Sequence, residues 1–406
     1  MSYEVRSKFL RKKSDACSIS KQNHFYDFVL AAFFVLSSFP YIFPNPLIDT
    51  GIQPYALILA FLICLIYVFR NNLIGSDDIL FNILGIGFLI AAFIALLSLV
   101  SCNATSVLRE ICAYCNLFLV PAAYCILRER STINLEPLIK ICILIWVISG
   151  CLQIFIQKDL FSQILAFANT SASRGAFGLA TEPSFYGIQL FYFLYLVKGF
   201  KKRKNLYYVL IFLCELLIVQ SATSLIFVVS FFLAELFDSK NIVKKIFVIT
   251  IVIVSSFLLL NCVVALLEQS RLLGLITQVI NNGFLALSND QSTQGRIERI
   301  ADPLIQAAGV GFFPQGMNEK FGSAWGGALN HLGFFAVLFI VLIPLLFSRY
   351  YQTYLGKIVG FLVIFFLFFS TVQLSNPLLG ILLGISLSQS LSSICWEHRV
   401  NKKFSE

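Results

Sequence analysis

The sequence predicts an all-α, polytopic membrane protein, and three observations support that prediction. Hydrophobic residues make up 58% of the 406 residues, charged residues make up only 13%, and the mean hydropathy is +0.84. Apolar runs long enough to cross a membrane as helices, about 20 residues each, recur along the chain. These runs lack the alternation of polar and apolar residues that a membrane barrel requires. A single integral membrane domain, residues 1–406, is therefore expected.

About twelve apolar segments are predicted to cross the membrane, with allowance for short or tilted helices. In chain order they are residues 25–43, 54–69, 79–100, 110–127, 138–156, 184–198, 205–219, 224–237, 246–267, 331–347, 358–374 and 376–391. The pair 205–219 and 224–237 comes from one run that is too long for a single span. We divide that run at Ser221-Ala222-Thr223-Ser224.

The basic residues predict the orientation of these spans, because cytoplasmic segments of membrane proteins are enriched in Lys and Arg. With the N-terminus inside, 23 of the 30 Lys and Arg fall in cytoplasmic segments, and both termini are cytoplasmic. The seven on the outer side are Arg109, Lys158, Arg174, Arg271, Arg296, Arg299 and Lys320. The net charge of +9 thus reflects topology and attraction to anionic lipid, which argues against nucleic acid as a partner.

Two predicted connections are much longer than the others, residues 157–183 and 268–330, and both fall on the outer side. Long connections are frequently functional. The sequence contains no internal repeat and no appended soluble domain. Any chemistry is therefore expected at the outer membrane face.

The long connections carry three arginines in suggestive settings. Arg174 lies in TSASRGAFGLATEPS, and Arg296 and Arg299 lie in TQGRIERIADPL. Guanidinium groups suit bidentate recognition of phosphate, although ordinary loop arginines facing water or lipid headgroups are the alternative. If GRIERIADPL is a helix, Arg296 and Arg299 share one face, and its isoleucines form an apolar face that suits the bilayer surface.

Three further ionisable residues have candidate roles. Glu182 precedes Pro183, which favours the first turn of a helix, and Thr181 or Glu182 can cap that helix. Alternatively, Glu182 takes part in acid–base chemistry or steers a sugar hydroxyl. His331 begins the span after the larger connection and is either a bystander or a base. Glu215 lies inside a predicted span, where it carries a proton, stays protonated or pairs with a polar neighbour such as Gln373.

The eleven cysteines are scattered, mostly inside spans. Cys112 and Cys115 form a CxxC pattern, but within the apolar run ICAYCNLFLV. A redox pair needs a soluble, thioredoxin-like setting, so these cysteines are predicted to be small buried residues. No His and Cys cluster has the spacing of metal ligands, and no metal or other cofactor is predicted.

These motifs resemble those of the O-antigen polymerase family, which is related to the O-antigen ligases. Members have many spans, two sizeable periplasmic loops and an Arg–Gly–Glu-Pro-Ser pattern that leads into a span. Arg174, Gly178, Glu182, Pro183 and Ser184 are similar to that pattern. In the larger loop the similar residues are Arg296, Gly309-Val310-Gly311, Asn330 and Gly333-Phe334-Phe335.

The resemblance implies a GT-C-like glycosyltransferase in the bacterial inner membrane. It would transfer a growing glycan from undecaprenyl pyrophosphate to a new lipid-linked repeat unit at the periplasmic face. The predicted catalytic residues are Arg174, Glu182, Arg296 and His331, of which His331 is offset from the histidine of the ligase pattern. The implied substrate-binding residues are Arg299, Gly178, Ser184, Tyr186 and Asn330. Lipid-linked oligosaccharide and membrane lipid are the expected partners, and the resemblance also admits a chain-length regulator protein.

Departures from the ligase pattern favour polymerase over ligase. Ligases usually carry Ser-Arg after the break between two short spans, whereas this chain has SATSLIF; and GSAW replaces their His-Asn pair. An O-antigen ligase is the closest alternative. A lipid-linked oligosaccharide flippase is a second, although it would line a cavity with intramembrane charges and show internal pseudo-symmetry. A non-enzymatic assembly partner is a third.

Overall fold

The structure is a computed structural model that describes residues 24–42, 52–71, 104–165, 175–238, 291–314, 323–370 and 374–388, with short pieces between 82 and 93. These residues are helical and contain no strand; one isolated antiparallel bridge joins Ile42 and Leu165. The predicted spans 79–100 and 246–267 lie largely or wholly outside the described residues. The all-α prediction is confirmed for the described part of the chain.

The described residues include twelve helices, numbered in chain order. They are α1 (His24–Ser38), α2 (Tyr55–Asn71), α3 (Ala104–Arg130), α4 (Glu136–Phe155), α5 (Pro183–Lys198), α6 (Lys204–Cys214), α7 (Ala222–Asp238), α8 (Gln291–Gly309), α9 (Ala324–Leu332), α10 (Ala336–Ser348), α11 (Tyr354–Leu367) and α12 (Pro377–Ser388). A π-helical turn, Glu215–Val219, extends α6, and a 3₁₀ turn, Gly333–Phe335, joins α9 to α10. A 3₁₀ turn at Ser162–Ile164 lies in the first long connection.

Within the described residues, two helical segments are long and apolar enough to cross a membrane, Glu110–Arg130 and Glu136–Phe155. A third is possible by the same measure if α9 and α10, which meet at an angle of 114°, count as one broken span. The remaining apolar helices are shorter.

The structure changes two details of the predicted layout. The segment predicted as a span at 331–347 belongs to a helical stretch that begins earlier, at Ala324, and bends at Gly333–Phe335. His331 therefore lies near the end of α9 and not at the start of a helix. The connection 268–330 is also partly helical, because it contains α8 and most of α9.

Helix α5 lies at the centre of the bundle. Every residue from Tyr186 to Val197 is buried, as expected of a helix with apolar residues all round. Tyr195 packs against Phe231, Phe347 and Tyr351 from three other helices or their ends. Pro183 occupies the first turn of α5, as predicted. Glu182 directly precedes that turn, so the buried helix fixes the position of Glu182.

The helix ends that carry basic residues meet at one end of the bundle, here called the basic end. Arg70 of α2 and Arg130 of α3 both donate to the Tyr26 hydroxyl of α1, at 3.1 and 2.8 Å. Glu136 at the start of α4 accepts a hydrogen bond from the Lys201 amide just after α5, at 3.2 Å. These contacts join helix ends that the charge distribution assigns to one side of the membrane.

A second group of contacts at the basic end is centred on Lys198, the last residue of α5. Its ammonium pairs with Glu235, lies 3.0 Å from Asp238 Oδ2 and stands 3.7 Å from the centre of the Tyr351 ring. Asp238 Oδ1 accepts from the amide of Thr353, at 2.9 Å, just before α11. The carboxylate of Asp238 thus connects α5, α7 and α11.

Asp238 lies one residue beyond the predicted span 224–237, and the charged form of its side chain is favoured. Partial burial opposes ionisation, but the Thr353 amide and the Lys198 ammonium outweigh it and hold the pKa of Asp238 below its usual value. Its contribution to stability is therefore present above the unfolded-state pKa. It is lost as the pH falls through the lowered pKa of the folded state.

Replacing Asp238 with alanine should destabilise the purified protein in detergent. The change removes hydrogen bonds to a charged group and leaves Lys198 with one carboxylate fewer, which costs on the order of 2–4 kcal/mol. Thermal unfolding followed by size-exclusion chromatography measures the effect. Asp159→Ala, at an exposed turn residue, is the control and should unfold at the same temperature as the wild-type protein. Equal unfolding temperatures for both variants would remove Asp238 from the contacts that stabilise the bundle.

Candidate functional site

The structure describes the backbone of two of the three arginines that are predicted to bind phosphate. Arg174 lies outside the described residues, immediately before Gly175, where the described chain resumes. Arg296 and Arg299 lie on the backbone of α8, which confirms a helix at GRIERIADPL. Because helix positions three apart are neighbours, the two arginines occupy one face of α8.

Glu182 stands at the N-cap position of α5, with extended backbone angles of φ −146° and ψ 154°. Its side chain makes no capping hydrogen bond, so the capping explanation of this residue is not supported. Its Oε2 instead lies 3.4 Å from the Ser184 hydroxyl, which donates to it. The carboxylate of Glu182 is half-buried and is held beside Ser184 at the first turn of the central helix.

The segment that leads to Glu182 is anchored to the rest of the bundle. Gln153 of α4 accepts from the amides of Phe177 and Gly178 through Oε1, at 3.0 and 2.7 Å. Gly178 has a positive φ of 57° and packs on the Tyr186 ring. The Tyr186 hydroxyl is buried and donates to the Trp146 carbonyl at 2.6 Å. Gly178 and Tyr186 therefore have structural roles here, and their predicted contact with substrate stays a prediction.

Asn330 joins the helix of the arginines to the helix of His331. Its Nδ2 donates to the carbonyl of Pro303 on α8 at 2.9 Å and to that of Gly326 on α9 at 3.0 Å. Along α8, Arg299 occupies the position one turn before Pro303, and Arg296 lies nearly one turn earlier. The arginine face of α8 is therefore the face that continues into Pro303, the point of attachment to α9.

The turn that contains Gly309-Val310-Gly311 contacts the segment Gly333-Phe334-Phe335, which follows the larger connection. The Phe334 amide donates to the Phe312 carbonyl at 2.9 Å. Gly333 has a positive φ of 60°, and a Cβ atom there would lie 2.3 Å from that same carbonyl oxygen. Glycine is needed at this position for both reasons. This contact places the turn after α8 against the bend between α9 and α10.

His331 contacts two residues of α3 that the sequence analysis did not identify. Its Nδ1 lies 3.2 Å from the Tyr114 hydroxyl and 4.0 Å from Glu110 Oε2. The side chain of His331 is 2% exposed, whereas that of Glu110 is 22% exposed. Glu110 and Tyr114 are four residues apart and share a face of α3. A carboxylate at the outer boundary of the predicted span 110–127 was the available sequence signal.

A buried chain of amides connects α3 to the central helix. Asn116 Nδ2 donates to the carbonyl oxygens of Leu374 and Asn376, at 2.9 and 3.0 Å. Asn376 Nδ2 donates to Gln189 Oε1 at 2.9 Å. Asn116 of α3 and Gln189 of α5 therefore lie at a common level of the bundle.

The two carboxylates of the candidate site, Glu110 and Glu182, can be located relative to this chain of amides. Glu110 lies six residues from Asn116 and Glu182 lies seven residues from Gln189, which is about 9–10 Å along either helix. Both displacements run away from Arg130 and Lys198, toward the end opposite the basic end. Glu110, with His331, and Glu182 therefore both lie toward the end of the bundle opposite the basic end.

Glu215 is fully buried in the π-helical turn that extends α6. Its Oε2 accepts from the Ser224 hydroxyl at 2.8 Å, and its Oε1 has no hydrogen-bond partner among the described residues. Gln373, suggested by the sequence as its partner, lies outside the described residues. The break between α6 and α7 falls at Gln220 and Ser221, beside the predicted division at Ser221–Ser224.

Cys112 and Cys115 are half-buried on α3 and form no disulfide. Both lie inside a helix, as predicted, but they are only half-buried, whereas the sequence predicted buried residues. In the described part of the chain, no three His, Cys, Asp or Glu residues are grouped so that they could hold a metal ion.

Comparison of the chain with protein-family models, curated proteins and solved structures finds no match in any of the three.

Proposed function

We propose that this chain is a surface-polysaccharide polymerase of the O-antigen type. The enzyme moves the growing glycan from undecaprenyl pyrophosphate to a sugar hydroxyl of a new lipid-linked repeat unit. The bond between the sugar C1 and the pyrophosphate oxygen breaks, and the electron pair leaves with the pyrophosphate. The acceptor oxygen forms the new bond to C1, and its proton passes to a base on the protein.

The observation that supports this proposal best is the attachment of α8 to α9. The Asn330–Pro303 hydrogen bond joins the helix that carries Arg296 and Arg299 to the helix that carries His331. Negative charge builds up on the departing pyrophosphate, and preorganised cations stabilise such charge. Arg174, Arg296 and Arg299 are the proposed cations, and Glu182 and His331 are the bases that the sequence predicts.

The proposed setting is the bacterial inner membrane, with about twelve spans, both termini in the cytoplasm and the reaction at the periplasmic face. The contacts among Tyr26, Arg70 and Arg130 support this sidedness, because they bring basic helix ends together. Glu110 and Glu182 lie toward the opposite end of the same bundle. A lipid-linked substrate would reach them from the outer leaflet with its pyrophosphate at the headgroup level.

Deletion of the gene followed by gel electrophoresis of extracted surface polysaccharide tests the proposed function. Loss of the polymerase should leave one repeat unit attached to the lipid core, because ligation continues without polymerisation. Absence of any attached glycan would indicate a ligase instead. Absence of periplasmic lipid-linked units would indicate a flippase, and an unchanged ladder of long chains would contradict all three activities.

A further inference from the structure

We propose that Glu110 is the residue that accepts the acceptor hydroxyl's proton, with Tyr114 and His331 as the positioning residues behind it. This inference rests on the proposed polymerase function and names the base at that same site. The sequence predicted that His331 or Glu182 takes the proton, and here Glu110 replaces His331 in that role. The reason is that Glu110 is the most exposed of these three side chains, whereas Tyr114 and His331 are buried behind it.

Burial distinguishes the members of this group. His331 is 2% exposed and Tyr114 is also 2% exposed, so neither imidazole nor phenol reaches the surface where a sugar would arrive. Glu110 is 22% exposed, and its carboxylate is the outward member of the group. A general base must come within hydrogen-bond reach of the proton that it removes. Among these three residues, Glu110 meets that condition.

The geometry also explains what the buried residues contribute. His331 Nδ1 lies 3.2 Å from the Tyr114 hydroxyl and 4.0 Å from Glu110 Oε2, so one ring nitrogen faces both. Tyr114 holds the imidazole ring in place, with the two ring planes inclined by 74°. The imidazole in turn stands behind the carboxylate, with Nδ1 at 4.0 Å from Oε2, which is ion-pair distance when the ring is protonated. Orientation of a base by a second side chain is a recurring feature of acid–base sites.

The position of the group fits the proposed reaction. His331 follows Asn330, and Asn330 is hydrogen-bonded to Pro303 on the helix of Arg296 and Arg299. The cations for the leaving pyrophosphate thus belong to α8 and the carboxylate for the attacking hydroxyl to α3, and α9 contacts both helices. In the reaction, the acceptor oxygen bonds to C1, the pyrophosphate leaves with the C1–O electron pair, and the hydroxyl proton binds a Glu110 oxygen.

The test uses membrane vesicles that contain the full-length protein, with the purified lipid-linked repeat unit as substrate. Glu110→Gln keeps the size of the side chain and removes its basicity. Turnover at saturating substrate should fall at least about 100-fold, the usual contribution of general acid–base catalysis, with KM unchanged. Glu110→Asp should retain part of the turnover. Glu129→Gln, an exposed glutamate at the other end of α3, is the matched control and should behave as wild type.

The positioning residues give a second readout. Tyr114→Phe and His331→Gln should reduce turnover less than Glu110→Gln, because each leaves the carboxylate in place. A larger loss for His331→Gln than for Glu110→Gln would overturn the proposal and assign the proton to the imidazole. A rise in KM for Glu110→Gln without loss of turnover would overturn it as well, since that result describes binding.

The outcomes for the inference and for the proposed function are separable. If wild-type vesicles make no polymer, the polymerase function itself fails. If they make polymer and Glu110→Gln makes it at a comparable rate, only the role of Glu110 fails. Should Glu110→Gln not accumulate in membranes, Glu110→Asp is compared at equal protein level. A loss of about tenfold or more then supports the role, and wild-type turnover contradicts it.

Discussion

Replacing Arg174 with alanine is expected to abolish long-chain polysaccharide while single repeat units remain attached to the lipid core. The residue adjoins Gly175, at the start of the anchored segment that leads to Glu182 and the first turn of α5. In the proposed reaction its guanidinium stabilises the charge that develops on the departing pyrophosphate. Loss of one such preorganised group usually lowers the rate about 10²–10³-fold. Gel electrophoresis of extracted polysaccharide measures the outcome at matched protein levels.

The matched control for Arg174 is Lys158→Ala. Lys158 lies in the turn after α4, in the same predicted outer connection, and no role in the reaction is assigned to it. It tests whether any outer cation of this connection supports polymerisation through general attraction to the anionic substrate. We expect Lys158→Ala to give the wild-type ladder. An intact ladder in Arg174→Ala, or an equal loss in both variants, would contradict a specific role for Arg174.

Replacing Gly175 with alanine is expected to destabilise the protein and shorten the polysaccharide. The added Cβ would lie 2.1 Å from the Val219 carbonyl oxygen and 2.8 Å from that of Ile218. Both are backbone atoms of the π-helical turn, which is held to this segment by the hydrogen bond from the Ala176 amide to Ile218 at 2.9 Å. Overpacking of this kind typically costs about 1–3 kcal/mol. Relief of the clash would also displace Arg174, the preceding residue.

Two measurements follow Gly175→Ala: thermal unfolding in detergent and the length of the polysaccharide. Gly85→Ala is the control, because a Cβ atom at Gly85 would have no neighbour within 4 Å. That variant should match the wild type in both measurements. Wild-type stability and chain length for Gly175→Ala would mean that the segment before Glu182 is not held against the π-helical turn as described.

Most helix positions could be predicted from the sequence, because a membrane helix satisfies its backbone hydrogen bonds within its own segment. Residues 54–69 were predicted where α2 runs from Tyr55 to Asn71, and residues 184–198 where α5 runs from Pro183 to Lys198. The break at SATS was predicted within one or two residues. In each case the length of the apolar run and a local proline or polar break are sufficient.

The bend between α9 and α10 could not be predicted in the same way. The run from residue 331 to 347 is apolar enough to be read as one straight helix. The bend occurs where Gly333 meets the Phe312 carbonyl, a group far away in the chain that packs there only after folding. Chain-distant contacts of this kind leave no trace in local hydropathy. For the same reason the sequence did not show that His331 lies near the end of one helix and not at the start of another.

The same distinction applies to the candidate site, because some of its residues could be selected from the sequence and others could not. Arg174, Glu182, Arg296, Arg299 and His331 could be selected from the sequence. Arginines in long outer connections, and an ionisable residue beside an apolar run, are conspicuous without any knowledge of their neighbours. Their predicted chemistry remains a prediction. Glu110 and Tyr114 were not selected, because their partner His331 lies more than two hundred residues further along the chain.

The sequence by itself determined that the chain is helical and rich in membrane-like segments, because those properties depend on composition and on hydrogen bonds within each helix. Only the tertiary structure decided which of the ionisable residues are neighbours and which of them are buried. It joined Asn330 to Pro303 and set the partly exposed Glu110 in front of the buried His331. Such pairings depend on the packing of helices that are distant in the chain, and packing is a property of the whole bundle.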